Sequence, residues 1–320
     1  MDLMDYLKKN AEEVDNAIER EFGKKDTDLY RAGAHLLLAG GKRLRPAVMM
    51  LAADLVDKGS SGGLIPAALA IEMTHTFTLI HDDIMDSDSV RRGSPTVHTV
   101  WDEPTAILAG DMIYSLAYEY LCNSEGTDTS KVKAVSMLGR VCAEICEGQE
   151  EDMSFESRND VTEEEYLEMV RKKTGALYAA SAAIGGMLAG GSVEQVEALN
   201  RYGMESGISF QIQDDLIDLI TPAEKSGKDQ ASDIREGKQT LIAIKAREKG
   251  IDLTPYRREL SNDEINEVIT ILDEKGIIRE VRRIAEEKLG SARDALSIFP
   301  ESDEKKLLLD VIDYFVSRGY

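Results

Sequence analysis

Residues 210–218 read Phe210-Gln211-Ile212-Gln213-Asp214-Asp215-Leu216-Ile217-Asp218. On a helix Asp214 and Asp218 stand about 40° apart, and Gln211 falls on the same stripe at i, i+3 and i+7. The stretch predicts a helix that carries carboxylates along one face, with apolar residues within the motif and before it. A second stretch, Leu79-Ile80-His81-Asp82-Asp83-Ile84-Met85-Asp86, has the same Asp-Asp-x-x-Asp form, and Asp82 and Asp86 again share a face. A water-facing acidic stripe is the plain alternative for either. It is disfavoured because each motif follows apolar residues, Phe77, Leu79 and Ile80 in one case and Ile208 and Phe210 in the other.

Helical spacing continues outward from these stretches. Apolar residues recur every three to four positions through Leu3, Leu7, Val14 and Ile18, through Leu36 to Leu55, and through Ile265, Val268, Ile269 and Leu272. Thr162 followed by Glu163, Glu164 and Glu165, and Ser261 followed by Glu264, are capping-box starts with acids in the first turn. The uncharged run Thr174 to Val193, rich in Ala and Gly, predicts a buried helix rather than a membrane span. Breaks fall at 57–63, 123–129, 190–192, 222–236 and 253–255, none long enough for an interdomain linker. With no strand ladder and no repeat, the expectation is an all-α fold, a single large many-helix bundle formed by one domain over residues 1–320.

Composition agrees. The 320 residues are 42% hydrophobic and 31% charged, with only 6% aromatics and 7 prolines, which excludes a disordered, collagen-like or aromatic-rich all-β chain. Subtracting 60 acidic from 38 basic side chains leaves a net charge of −22, so no nucleic-acid partner and no anionic lipid surface is expected. Cys122, Cys142 and Cys146 lack disulfide or zinc spacing, and they read as core thiols of a cytoplasmic protein. Met1-Asp2-Leu3-Met4-Asp5 carries acids where a secretory signal would carry positive charge, and no apolar core follows.

Hard oxygen ligands without a Cys or His ligand set suit Mg²⁺, which bridges a few carboxylates to a phosphate ligand. Basic groups to complete a diphosphate clamp stand at Gly40-Gly41-Lys42-Arg43-Leu44-Arg45-Pro46 and at Arg91-Arg92-Gly93. His75 lies seven residues before Asp82, which returns to within about 20° of the same helical face. A hydrogen-bonded structural histidine is the alternative, but that phase points to substrate contact. Residues and spacing by themselves reach Mg²⁺ and a diphosphate.

Six ordered elements carry a more specific resemblance: GGKRLRP at 40–46, His75, DDIMDSDSVRRGSPTVH at 82–98, Lys173-Thr174-Gly175, FQIQDDLID at 210–218 and GKDQASDIREGKQT at 227–240. Over nearly its whole length the chain resembles the trans-isoprenyl diphosphate synthases of the polyprenyl synthetase family, and within it the archaeal short-chain geranylgeranyl and farnesyl type. The resemblance implies an all-α fold around a central substrate cavity, a homodimer, and head-to-tail condensation of isopentenyl diphosphate with allylic diphosphates. It implies three Mg²⁺ ions per site, held by Asp82, Asp86 and Asp214 with Asp83, Asp215 and Asp218 assisting. Arg91, Lys173, Lys228 and Lys238 are expected to neutralise the allylic diphosphate, and Lys42, Arg45, His75 and Arg92 to hold isopentenyl diphosphate. Thr174 and Gln211 are expected to line the reacting centre.

In this family bulky side chains just before the first acidic motif form the floor of the pocket for the growing tail. Thr74, Phe77 and Thr78 occupy those positions here, and an aromatic Phe77 beside small Thr78 resembles the geranylgeranyl type. An ideal wheel puts Phe77 about 140° from Asp82, where it would be ordinary core. The expected product is mainly geranylgeranyl diphosphate, with a farnesyl or bifunctional enzyme as the alternative. A terpene cyclase is disfavoured by GGKRLRP and the second Asp-Asp-x-x-Asp. A non-catalytic regulatory subunit of a heteromeric synthase is disfavoured because both motifs are complete.

Overall fold

The computed structural model describes residues 1–222 and 230–317. Lys228, together with the start of the 227–240 element, lies outside the described residues, as do Arg318, Gly319 and Tyr320. The chain runs through α1 (Leu3–Phe22), α2 (Asp28–Leu38), α3 (Leu44–Val56), α4 (Ile65–Met85), a two-residue-per-strand hairpin (Val90–Arg91 with Ser94–Pro95), α5 (Val97–Val100), α6 (Glu103–Cys122) and α7 (Asp128–Phe155). It continues through α8 (Glu163–Val170), one π-helical turn (Arg171–Gly175), α9 (Ala176–Leu188), α10 (Val193–Ile220), α11 (Ser232–Glu236), α12 (Leu241–Glu248), α13 (Asn262–Glu274), α14 (Ile277–Ala295) and α15 (Asp303–Ser317). The all-α expectation is met.

Two compact units are formed. The first takes Met1–Cys142, Ala180–Asn200 and Ile298–Leu308; the second takes Ala143–Ala179, Arg201–Ser297 and Leu309–Tyr320. In the first unit α4 is apolar all round over most of its length, with Ala67, Ala68, Leu69, Ala70, Ile71 and Met73 all buried. Such a helix belongs inside a core, and α6 is its main neighbour. In the second unit a continuous apolar cluster joins Val161, Tyr166, Ile212, Leu216, Leu241 and Val281, which holds α10 against the helices that flank it.

Local sequence signals are realised where they were clearest. Leu3, Leu7, Val14 and Ile18 form the buried face of α1. Both capping boxes close: Glu165 N–H donates to Thr162 Oγ1 and Thr162 N–H to Glu165 Oε2, and Ser261 and Glu264 do the same. Departures are local. The run from Leu36 to Leu55 is broken between α2 and α3, because Gly40 and Arg43 both adopt positive φ there. The buried run after Thr174 ends at Leu188 and begins with the π-turn. The short α11 interrupts the predicted 222–236 break, and the hairpin supplies the one ladder among the described residues. Of the three cysteines read as core thiols only Cys142 is buried; Cys122, the last residue of α6, and Cys146 are exposed. Among the described residues no helix is long and apolar enough to cross a membrane.

Candidate active site

Both Asp-Asp-x-x-Asp motifs fall at the C-terminal ends of long helices, Asp82, Asp83 and Asp86 closing α4 and Asp214, Asp215 and Asp218 in the last turns of α10. Neither last turn contains a basic residue. Carboxylates there meet the negative end of the helix dipole as well as one another, an arrangement that cations relieve. Their donors are all oxygen, the type Mg²⁺ takes, but among the described residues no three His, Cys, Asp or Glu side chains are grouped to hold a metal ion.

In the first unit α4 ends in a Schellman motif with serine where glycine is usual. Ser87 adopts φ 58°, its N–H reaches Ile84 O at 3.3 Å, and Asp88 N–H reaches Asp83 O at 2.9 Å. The chain then turns through the hairpin, whose central residues Arg92 and Gly93 have φ of 54° and 74°, the pair of positive values a two-residue hairpin loop demands. That turn sends the two arginines to different partners. Arg91 donates through Nε to Asp83 Oδ1, lies 3.1 Å from Asp88 Oδ2 and 3.9 Å from Asp82 Oδ2. Arg92 donates to Gly40 O at 2.8 Å.

Asp83 is fully buried, and burial pushes its carboxyl up to about 6 despite the Arg91 guanidinium beside it. Asp82 is largely covered and Asp86 is exposed. His75 is half-buried one face away from the core. Burial first, then the fields of Arg45, Arg92, Arg91 and Arg43, hold its imidazole well below the ordinary histidine value, so it is neutral near pH 7. Lys42 is exposed and Arg45 half-buried at the start of α3.

Thr74 and Phe77 are buried and Thr78 half-buried on α4. Each threonine turns its hydroxyl back to the helix, Thr74 Oγ1 donating to Ala70 O and Thr78 Oγ1 to His75 O. The Phe77 ring packs on Tyr114 at 4.7 Å and against His81 at 5.9 Å. Tyr114 is hydroxyl-bonded to Tyr118 at 2.9 Å, one turn along α6. An aromatic column therefore begins at Phe77.

In the second unit Lys173 and Thr174 lie in the π-turn, a distortion that recurs at functional sites. Gly148 of α7 makes the turn possible: a Cβ there would stand 2.5 Å from Lys173 N. Lys173 Nζ pairs with Asp152 at 2.6 Å. Thr174 donates to Gln211 Oε1 at 3.1 Å, Gln211 Nε2 donates to Asp215 Oδ1 at 2.9 Å, and Tyr166 donates to Asp215 Oδ2 at 2.6 Å. Burial, then the Asp233 charge, drive the Asp215 carboxyl well above the usual carboxylate range. Asp218 accepts from Ser232 Oγ at 2.6 Å and from Asp233 N–H at 3.1 Å, an approach enabled by Ala231 at φ 58°. Lys238 lies 3.5 Å from Asp233 and 3.3 Å from Glu236.

Among the described residues the four non-glycine positions at positive φ are Arg43, Ser87, Arg92 and Ala231, each within or adjoining one of the quoted sequence elements. Such backbone costs on the order of 1–3 kcal/mol per residue, and it persists where neighbouring contacts over-determine it. Residue-by-residue reading missed Glu72, Asp152, Tyr166 and Asp233. One signal was available: Glu72 is a lone acid in the otherwise uncharged stretch from Ile65 to Ile80.

The Polyprenyl synthetase family model matches residues 26–271. The chain is 46% identical to geranylgeranyl diphosphate synthase of Methanosarcina mazei over 100% of this chain and 99% of that protein. It is 43% identical to geranylfarnesyl diphosphate synthase of Natronomonas pharaonis, over 98% of this chain and 97% of that one. The solved structure of geranylgeranyl pyrophosphate synthetase from the archaeon Geoglobus acetivorans superposes with a TM-score of 0.90 at 46% identity, covering 97% of this chain and 99% of that one.

Proposed function

Because the chain belongs to the polyprenyl synthetase family, we propose that it is a short-chain trans-prenyltransferase whose main product is geranylgeranyl diphosphate. It condenses isopentenyl diphosphate head-to-tail with dimethylallyl, geranyl and farnesyl diphosphates and releases diphosphate. The observation that carries this reading is the pair of acidic helix ends, each with its buried middle aspartate taken up by a protein partner, Arg91 on Asp83 and Tyr166 on Asp215.

Asp82, Asp86 and Asp214 are the carboxylates proposed to hold Mg²⁺, three ions per site. When bound, these ions neutralise the allylic diphosphate and make it a leaving group. Arg91, Lys173, Lys228 and Lys238 meet the negative charge that grows on that diphosphate as the C–O bond breaks. Lys42, Arg45, His75 and Arg92 hold isopentenyl diphosphate so that its double bond attacks the allylic carbon, which is catalysis by positioning. Thr174 and Gln211, fixed to each other and to Asp215, present oriented oxygen dipoles to the developing cation. The proton lost after carbon–carbon bond formation passes to the released diphosphate, as the family resemblance implies. Phe77 forms the floor of the tail pocket. The proposal includes a homodimer acting in the cytoplasm.

The test incubates the purified protein with Mg²⁺, isopentenyl diphosphate and, separately, each of the three allylic primers, and resolves the dephosphorylated products by length. Mainly twenty-carbon alcohol is expected. A fifteen-carbon endpoint would keep the synthase and overturn the product, and no elongation with any primer would favour a regulatory subunit.

A further inference from the structure

Glu72 is a carboxylate inside the core, 3% exposed, on the helix that ends in the first acidic motif. Two arginines from distant segments converge on its Oε1: Arg43 Nη1 at 2.5 Å and Arg92 Nη2 at 3.9 Å. Both arginines have left-handed backbone, and both guanidiniums also grip the C-terminal end of α2. Arg43 donates to Leu37 O, while Arg92 donates to Gly40 O at 2.8 Å and to Leu36 O at 3.4 Å. These carbonyls include ones a helix end leaves without internal donors. The glycine loop that carries Lys42, and the start of α3 that carries Arg45, are thus tied down by two cations whose shared buried counter-charge is Glu72.

We infer that Glu72 is a positioning residue for the basic cluster of Lys42, Arg45, His75 and Arg92, setting its geometry toward the diphosphate of the non-allylic substrate. The inference rests on the proposed reaction. The alternative is that Glu72 merely neutralises buried Arg43, a task shared with Asp15, which accepts from Arg43 Nε at 2.8 Å but is not paired with Arg92. The two carboxylates therefore separate the roles.

The experiment compares Glu72→Gln and Asp15→Asn with the unaltered protein, measuring KM for isopentenyl diphosphate and for farnesyl diphosphate, and Kd for isopentenyl diphosphate by calorimetry. Glu72→Gln is expected to raise KM and Kd for isopentenyl diphosphate about tenfold or more while the allylic KM stays within about twofold. Asp15→Asn should leave both unchanged. If Glu72→Gln does not fold, the Arg43→Gln/Glu72→Gln double variant removes the stranded buried charge and carries the same expectation, since Arg92 still loses its anchor. Values for isopentenyl diphosphate within about twofold of the unaltered protein, or equal losses for both substrates, overturn the inference. Unaltered protein that binds isopentenyl diphosphate without turnover overturns the proposed reaction instead, and the Kd comparison still decides Glu72.

Discussion

The buried phenol of Tyr166 donates to Asp215 at 2.6 Å, and Gln211 occupies the other oxygen of the same carboxylate. The middle aspartate of the second motif is thereby committed to the protein, as Asp83 of the first motif is committed to Arg91. Identical residue types at adjacent positions have different work because one faces the core and the next does not.

Asp82→Asn, Asp86→Asn and Asp214→Asn should each lower kcat by about 10²–10³, the scale of losing one preorganised electrostatic contact, and should raise the Mg²⁺ concentration needed for half-maximal rate. Asp83→Asn and Asp215→Asn should shift that midpoint by less than about threefold. Rates titrated against free Mg²⁺ decide it, and chelation with EDTA should abolish turnover in all. Equal midpoint shifts at all five positions would contradict the division.

Tyr166→Phe strips a donor from a buried carboxyl group. Unfolding in urea should show a loss of about 1–3 kcal/mol, the cost of leaving a buried polar group unsatisfied. An unchanged midpoint would mean that Asp215 has found another partner or is neutral.

Phe77→Ser should lengthen the product beyond twenty carbons, because the ring that heads the Phe77–Tyr114–Tyr118 column is removed. The variant also loses about 3–5 kcal/mol of core packing, so products must be resolved at a temperature where it remains folded. An unaltered length distribution would dismiss Phe77 as the floor and leave it as core.

The Thr162–Glu165 box predicts an acid limb of stability. Hydrogen bonds from Arg158 and from the Thr162 backbone lower Glu165 from 4.5 to about 2. A depressed carboxylate stabilises the fold above its unfolded value and loses that contribution as pH falls through the folded one, so the window is about 4.5 down to 2. Glu165→Gln should flatten that limb, so that the stabilities of the variant and the unaltered protein converge as pH falls across the window, as read by denaturant melts at several pH values.

What the sequence by itself determined is what neighbouring residues decide. Helical phase put Asp82 with Asp86 and Gln211 with Asp214, and Thr162 and Ser261 announced their helices because a cap and its carboxylate are three residues apart. Interactions of that range depend on 3.6-residue periodicity, which any stretch of chain displays. The tertiary structure decided which aspartate of each motif is buried, that Arg91 and Arg92 part company at a strained turn, and that Glu72 lies beneath Arg43 and Arg92. Tyr166 reaches Asp215 across 49 positions and Arg43 reaches Glu72 across 29. Burial and charge pairing over such separations arise only when distant segments are packed, and that packing selects among carboxylates that are chemically alike.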